Sequence, residues 1–168
     1  MAAGLDRIDH RILTLLRQDG RMSHAAIAKQ VGLSGPAVHE RVRKLEQCGI
    51  IAGYTAVIDP DKIGLPHVAF CQVTLSEGSE FAMDEPIVAR ICEEQGVLEF
   101  HRIAGQDCYL VKIRTSTNKE LEQLLRRIRS IPGVARTRTT MVLSTEHEQP
   151  SVDLPELTES RQEFTGRP

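Results

Sequence analysis

Residues 34–48 read SGPAVHERVRKLEQC, and this stretch has the pattern of an amphipathic helix. Ser34 or Gly35 can cap the first turn. Pro36 suits that turn because its missing N–H would have no partner there. The apolar residues repeat at i, i+4 and i+7 and therefore share one buried face: Val38, Val42 and Leu45. The stretch predicts a helix with one apolar side and one charged side.

Two shorter helices precede this one. Leucines and isoleucines at helical spacing predict the first over about residues 5–17. Ser23 is placed to cap the second, and residues 32–34 form a short turn before the third. Residues 50–58 follow and predict a strand or hairpin. Three helices with a tight turn between the second and third, followed by a hairpin, are typical of a winged helix-turn-helix.

A helix-turn-helix buries one face of its third helix and offers the other to the DNA major groove. Arg, His and Glu side chains read base edges, whereas Lys mostly binds phosphate. The alternative is an ordinary solvated face, with Glu40 as the ion-pair partner of the basic residues. The two preceding helices and the turn favour DNA binding. We predict a DNA-binding surface made of Ser34, Gly35, Pro36, His39, Glu40, Arg41, Arg43 and Lys44.

The pattern of apolar residues changes after residue 60. Strands alternate with two amphipathic helices, the first over 84–95 with Ile87, Ile91 and Cys92 facing inward. The predicted strands cover about 67–75, 97–103, 109–113 and 134–144. Their order is β-α-β-β-α-β, which is the ferredoxin-like arrangement. The predicted fold class is therefore α+β.

Strand residues alternate between the two faces of a sheet. The apolar strand residues cannot all face the two helices of one subunit: Val68, Phe70, Val111, Ile113 and Val142. A four-stranded sheet with helices on one face leaves its other face uncovered. We therefore predict a two-fold dimer, with higher oligomers assembled from it.

Composition and charge limit the remaining choices. The chain has 168 residues, of which 40% are hydrophobic and 26% charged, as in globular proteins of one or two domains. No apolar run reaches 18 residues and the N-terminus has no secretory pattern, so we expect a cytoplasmic protein with no membrane segment. The net charge is +2 over residues 1–60 and −4 over 146–168. The acidic, proline-containing tail at 147–168 is predicted to be flexible, with packing on a partner subunit as the alternative.

The sequence contains no pattern typical of a metal site or an enzyme. The cysteines at 48, 71, 92 and 108 form no CxxC pair, and the histidines form no HxxxH pair. We expect four reduced and mostly buried thiols, no metal and no cofactor. Catalytic dyads, phosphate loops and nucleophile motifs are also absent from the sequence, which predicts that the chain is not an enzyme.

The N-terminal motifs resemble those of the Lrp/AsnC family, the leucine-responsive or feast/famine transcription regulators. The matching segments are Leu5–Leu13, Asp19–Arg21, Ile27–Ala28, Val31–Ser34, Arg41–Glu46, Gly49–Ile51 and Gly53–Tyr54. The resemblance extends over about 5–145. It implies a winged helix-turn-helix with a hinge strand over 1–60 and a βαββαβ domain, called RAM, over 61–146. It also implies operator DNA and an amino acid or related small molecule as partners, and dimers that assemble further, often to octamers.

The resemblance also implies an effector site. The family often has Gly-x-aromatic-Asp-Tyr at the turn between the second and third strands. Gly105 and Tyr109 match, but Asp107 replaces the aromatic residue and Cys108 replaces the aspartate. The implied effector residues are Ile103, Ala104, Gly105, Gln106, Asp107, Cys108, Tyr109, Thr137 and Thr139. The departure at 107 and 108 predicts weaker binding of simple aliphatic amino acids, or a different ligand.

Two other functions compete with a ligand-responsive regulator. Sirohaem decarboxylases are similar to this family in layout, yet they are enzymes and would need histidine and arginine side chains that converge on a pocket. His101 and Arg102 are the adjacent candidates here, and strand alternation places them on opposite faces. The second competitor is an architectural DNA-binding protein that responds to no ligand. We predict a sequence-specific transcription regulator.

Overall fold

The structure is a computed structural model that describes residues 4–76, 81–104, 109–149, 151–152 and 154–155. These residues form two compact units. The N-terminal unit consists of the described residues up to Val57 together with those from Gln149 onward, and the C-terminal unit is Ile58–Glu148. Among the described helices, none is long and apolar enough to cross a lipid bilayer.

The N-terminal unit contains the three predicted helices: α1 (Arg7–Gln18), α2 (His24–Val31) and α3 (Gly35–Gln47). Ser23 and Ser34 cap α2 and α3, because each hydroxyl accepts a hydrogen bond from a backbone N–H of the first turn. Gly32 ends α2 in the left-handed conformation, with φ 72°. The helices pack through a core of Ile12, Leu13, Leu15, Ile27, Ala28, Val38, Val42 and Leu45.

Arg41 joins α3 to the start of α1. Its Nη1 donates to Asp6 Oδ2 and to Asp9 Oδ1, both at 2.7 Å. The same carboxylates cap α1, since Asp6 accepts from the Asp9 N–H and Asp9 accepts from the Asp6 N–H. Burial raises the pKa of Asp6, but the hydrogen bonds from the Asp9 N–H and from Arg41 outweigh it and leave that pKa below its usual value.

The hairpin predicted over residues 50–58 is absent, because these residues form no strand in the structure. They lie within the part of the chain that the structure describes. Val57 and Ile58 are 73% and 62% exposed. A strand is stable only when a second strand satisfies its backbone groups. The apolar, β-branched composition therefore predicted a strand that the single chain cannot pair.

The C-terminal unit has the predicted ferredoxin-like order. Its elements are β1 (His67–Leu75), α4 (Phe81–Cys92), β2 (Val97–Arg102), β3 (Tyr109–Thr115), α5 (Asn118–Ser130) and β4 (Val134–Met141). The four strands form one antiparallel sheet in the order β2-β3-β1-β4. The central strands β1 and β3 thus lie between the edge strands β2 and β4.

The helix-covered face of this sheet contains the hydrophobic core. Val111 and Ile113 belong to it and are fully buried against α4 and α5 residues such as Ile91 and Leu124. Cys71 is also fully buried. The prediction that the thiols are mostly buried is wrong for Cys48 and Cys92, which are exposed, and Cys108 lies outside the described residues. Cys92 ends α4 and does not face inward as predicted.

The opposite face of the sheet is more polar than the alternation argument suggested. Lys112 and Arg114 project from β3 on this face, between the buried positions of the core side. Glu148 accepts hydrogen bonds from both side chains. The hydrogen bond to Glu148 is the main cause of a raised Lys112 pKa. Phe70 pairs with Lys112 on the same face and is 36% exposed.

Part of the acidic tail packs on the N-terminal unit. Leu154 lies against its hydrophobic core, and the carbonyl oxygens of Val152 and Pro155 contact the side chains of Arg17 and His10. The composition of 147–168 favours a flexible segment, but one leucine with two backbone acceptors is enough to fix these residues. Composition averages over the tail and misses such a contact.

We expect Arg41→Met to destabilise the N-terminal unit by about 1–2 kcal/mol. The substitution removes two short charge-assisted hydrogen bonds and leaves Asp9, whose side chain is 17% exposed, without its cation. Arg43→Met is the matched control, because Arg43 forms an i,i+3 pair with Glu40 in which both side chains are more than half exposed. Thermal unfolding followed by circular dichroism measures the difference. Equal melting temperatures for the two variants would contradict this role of Arg41.

The same interaction gives a pH dependence of known sign. The pKa of Asp6 is lower in the folded chain than in the unfolded one, so its stabilisation is complete above the unfolded pKa of about 3.9. It is lost as the pH falls through the folded pKa. Between pH 5 and pH 3, wild type should therefore lose more stability than Arg41→Met. Parallel losses would show that the pair is not the source.

Candidate DNA interface and effector region

The third helix has the two-sided character that DNA reading requires. Val38 and Val42 are 0% and 2% exposed, and they hold α3 against the other helices. His39, Arg43 and Lys44 are exposed on the surface away from this stripe. The N-terminal end of α3 carries Ser34, whose hydroxyl accepts from the Ala37 N–H at 3.3 Å. The exposed face therefore offers a mixture of cationic groups and an imidazole to a major groove.

Arg41 is the member of the predicted DNA-binding set that does not project from this face. It lies about 60° around the helix from the buried stripe, given 100° per residue, and points toward α1. Its guanidinium is held by Asp6 and Asp9. The sequence places Arg41 at the edge of the charged face, and the structure pairs it with the two carboxylates.

Glu40 and Arg43 form an ion pair on the exposed face of α3. Arg43 Nη2 lies 3.1 Å from Glu40 Oε2, and both side chains are more than half exposed. An exposed pair of this kind contributes less than about 1 kcal/mol. DNA can therefore separate Arg43 from Glu40 at little cost, so the pair is compatible with base reading.

One residue of this surface was missed by the sequence prediction. His24, the first residue of α2, has its Nδ1 3.4 Å from Nδ1 of His39, and the ring centroids are 5.2 Å apart. The two histidines are fifteen residues apart in sequence. No periodicity in the sequence links them, and the angle between α2 and α3 brings them together.

The described part of the effector region begins and ends on well-packed residues. Ile103 is half-buried, Ala104 is exposed, and Tyr109 is 2% exposed. The Tyr109 hydroxyl accepts from Arg102 Nη2 at 2.7 Å, and its ring centroid lies 5.0 Å from that of Phe100. The predicted effector residues Gly105, Gln106, Asp107 and Cys108 lie outside the described residues.

The threonines of β4 face the helix side of the sheet. Thr137 pairs with Val73 and Thr139 with Cys71. Since directly paired residues share a face, both threonines lie on the same side as these buried residues. Burial raises the pKa of the Cys71 thiol, against a smaller lowering by a hydrogen bond with Thr139. Val73 pairs with Tyr109 on its other side, so Thr137 and Tyr109 lie two strands apart, about 10 Å, in one row.

His101 and Arg102, the pair considered for a decarboxylase, do not converge. His101 Nε2 lies 3.1 Å from Glu99 Oε2, whereas Arg102 binds Tyr109. His101 pairs with Leu110 and Arg102 with Tyr109, which are on opposite faces of the sheet. In the described part of the chain, no group of three or more His, Cys, Asp or Glu side chains is arranged to hold a metal ion.

A separate pocket lies on the C-terminal unit. Its volume is about 290 Å³, and its lining includes Gly96, Arg114, Glu120 and Arg127. It contains none of the predicted effector residues. An amino acid has the size and the paired charges to fit such a pocket, which makes it an alternative place for the effector.

Comparison with known proteins identifies both units. The model of the AsnC-type helix-turn-helix domain matches residues 5–46, and that of the Lrp/AsnC ligand binding domain matches residues 68–152. The chain is 40% identical over 147 residues to the proline dehydrogenase transcriptional activator of Rhizobium radiobacter, covering 86% of this chain and 92% of that protein. It is 36% identical over 140 residues to the leucine-responsive regulatory protein of Escherichia coli strain K12, covering 83% and 85%.

Solved structures agree with this assignment. The leucine response regulatory protein of Mycobacterium tuberculosis has a TM-score of 0.77 and 34% identity, with 88% of this chain and 99% of that chain covered. A transcriptional regulator of Neisseria meningitidis in complex with L-Met has a TM-score of 0.81 and 25% identity, with 89% and 96% covered. Both domain models, the curated relatives and the solved structures therefore show that this chain belongs to the Lrp/AsnC family of transcription regulators.

Proposed function

We propose that this chain is a cytoplasmic, non-enzymatic regulator that reads operator DNA with α3 and changes its assembly or DNA binding when an amino acid binds. The observation that carries the proposal is the two-sided α3. One face is buried, and the other exposes His39, Glu40, Arg43 and Lys44. The family to which the chain belongs supports both halves of the proposal.

Different residues of the interface have different parts in DNA binding. Arg43 reads a base edge after leaving Glu40, and Lys44 neutralises a phosphate. Ser34, Gly35 and Pro36 bring the N-terminus of α3 near the DNA backbone, where its positive end attracts phosphate. Arg41 does not contact DNA itself in this proposal. It positions α3 by holding it against α1 through Asp6 and Asp9.

A dimer, assembling to higher oligomers such as an octamer, is the second part of the proposal. Exposed apolar residues of the C-terminal unit support it, including Ile58, Ile63 and Leu98 at 62%, 59% and 54% exposure. Residues 50–58, which lack a strand partner in one chain, supply further backbone groups for pairing with a second copy. Two copies also present two recognition helices to a pseudo-palindromic operator.

The effector is proposed to bind near residues 103–109 and Thr137–Thr139. The Thr139 hydroxyl is placed to exchange its hydrogen bond with Cys71 for one with a ligand carboxylate. A solved neighbour, the Neisseria meningitidis regulator, is a complex with L-Met. An amino acid carries both charges, so the carboxylate of Asp107 suits its ammonium group. Cys108 at the family's aspartate position favours a ligand other than a simple aliphatic amino acid.

We expect Arg43→Ala to weaken binding to an operator selected from random DNA by roughly 10- to 100-fold and to relax the preference for one base pair. Lys44→Ala should weaken all sequences alike and reduce the slope of log K against log salt by about 1. Arg126→Ala is the control, since it removes an arginine of α5 that is also exposed, at 74% against 55% for Arg43. Fluorescence anisotropy at several salt concentrations measures these effects. Equal affinities for Arg43→Ala and Arg126→Ala would contradict the assignment of α3.

We expect an oligomer in solution at micromolar concentration. The mass of one chain is 18.7 kDa, so a dimer has twice that mass and an octamer eight times. Light scattering coupled to size exclusion gives the mass directly. A single species at 18.7 kDa would remove the proposed dimer, while leaving the DNA-reading role of α3 to be judged by the binding experiment.

We expect Thr139→Val to weaken effector binding about tenfold, the value of one neutral hydrogen bond. Thr140→Val is the matched control, because Thr140 pairs with Phe70 and faces the other side of the sheet. A thermal-shift screen of the L-amino acids identifies the ligand, since 100 times Kd stabilises a protein by about 2.7 kcal/mol. Calorimetry then compares the variants.

Unchanged binding in Thr139→Val and loss in Gln123→Ala would move the effector to the 290 Å³ pocket, which Gln123 lines. A chain that binds DNA but no effector would be architectural.

A further inference from the structure

The outward side of α1 contacts the C-terminal segment of the same chain. Nε2 of His10 lies 2.9 Å from the Pro155 carbonyl oxygen. Nη1 of Arg17 donates to the Val152 carbonyl oxygen at 3.3 Å. Between these two contacts in sequence, Leu154 packs against the hydrophobic core of the N-terminal unit.

The spacing of these contacts fits a segment that runs along the helix. His10 and Arg17 are seven residues apart, which is about 10.5 Å along a helix axis. Val152 and Pro155 are three residues apart, and three residues cover about 10 Å when extended. The order is reversed, since the earlier tail residue meets the later helix residue. The tail residues therefore follow α1 in the antiparallel direction, in register with its side chains.

The tail contacts α1 in two ways, through backbone carbonyl oxygens and through the side chain of Leu154. Arg17 and His10 contact carbonyl oxygens, which any tail sequence would supply. Leu154 is half-buried, whereas the Val152 side chain is 79% exposed. Leu154 is thus the specific anchor. The contact of Leu154 with the core is apolar and distinguishes this residue from its described neighbours in the tail.

We propose that α1 is a docking surface for the chain's own C-terminal segment and that Val152, Leu154 and Pro155 form a clamp on the DNA-binding unit. The clamp covers the helix whose first turn holds Arg41 of α3 through Asp6 and Asp9. It therefore stabilises the helix against which the DNA-reading helix is fixed. The clamp is a property of folding, so its test does not depend on whether α3 binds DNA.

The decisive comparison is Leu154→Ser against Val152→Ser. Both substitutions replace an aliphatic tail residue by serine and keep the backbone carbonyl, but only Leu154 packs on the core. We expect Leu154→Ser to lower the melting temperature of the full chain by about 4–8 °C, and Val152→Ser to leave it unchanged. Amide exchange in α1 should become faster in Leu154→Ser alone. Equal melting and exchange in the two variants would overturn the clamp.

Two truncations and two conditions complete the test. A chain that ends at Gln149 should be destabilised at least as much as Leu154→Ser, because it also loses the two carbonyl contacts. A chain that ends at Glu156 should behave like wild type. The difference between Leu154→Ser and wild type should persist from low to high salt, because the apolar packing of Leu154 carries no charge that salt could screen. It should also be the same at low and high protein concentration, as a contact within one chain requires. A difference that vanishes on dilution would assign the surface to the tail of a second copy and overturn the proposal.

Discussion

The structure of the DNA-binding unit depends on one cation held between two carboxylates. Arg41 donates to Asp6 and Asp9 at 2.7 Å, and the same two side chains cap the first turn of α1. The interaction thereby joins the first turn of α1 to α3, whose buried face is formed by Val38, Val42 and Leu45. With Arg41 turned toward α1, the residues that remain outward are those that DNA can reach. Arg43 keeps its exposed pairing with Glu40, which is weak enough to be exchanged for a base.

Local patterns were sufficient to predict the elements and their order. Ser23 was predicted to cap α2, and Ser34 or Gly35 to cap α3, because hydroxyl capping is decided within three residues. The structure confirms Ser23 and selects Ser34. The βαββαβ order followed from alternation and helical spacing in the same way. Contacts between distant residues could not be found by such patterns. The partners of Arg41 lie 32 and 35 residues away, and the His24–His39 contact requires the packing of two helices.

The alternation of strand residues predicted which of them share a face of the sheet. It did not predict that the face without helices is polar. Val111 and Ile113 are core residues, and Lys112 and Arg114 lie between them on the opposite side. The chain brings Glu148 to these two cations, so the open face is partly neutralised by its own tail. Exposed apolar residues remain beside this charged centre. A partner on this face would meet the charged group of Lys112, Arg114 and Glu148 beside the exposed ring of Phe70. Such a mixed surface favours one docking register more than a uniformly apolar face does.

The proposed effector region lies beside two residues that the sheet holds in place, Tyr109 and Thr139. Tyr109 is buried, and Arg102 donates to its hydroxyl, so the start of β3 is held by the core. On β4, Thr139 is held beside Cys71 by strand pairing. These anchors do not depend on the identity of residues 107 and 108, where the chain departs from the family. Exchanging an aspartate for Cys108 removes a negative charge, and placing Asp107 one position earlier supplies one elsewhere. In the proposed effector site, the charge offered to the ligand's ammonium group therefore lies one position earlier than in the family pattern that the sequence resembles.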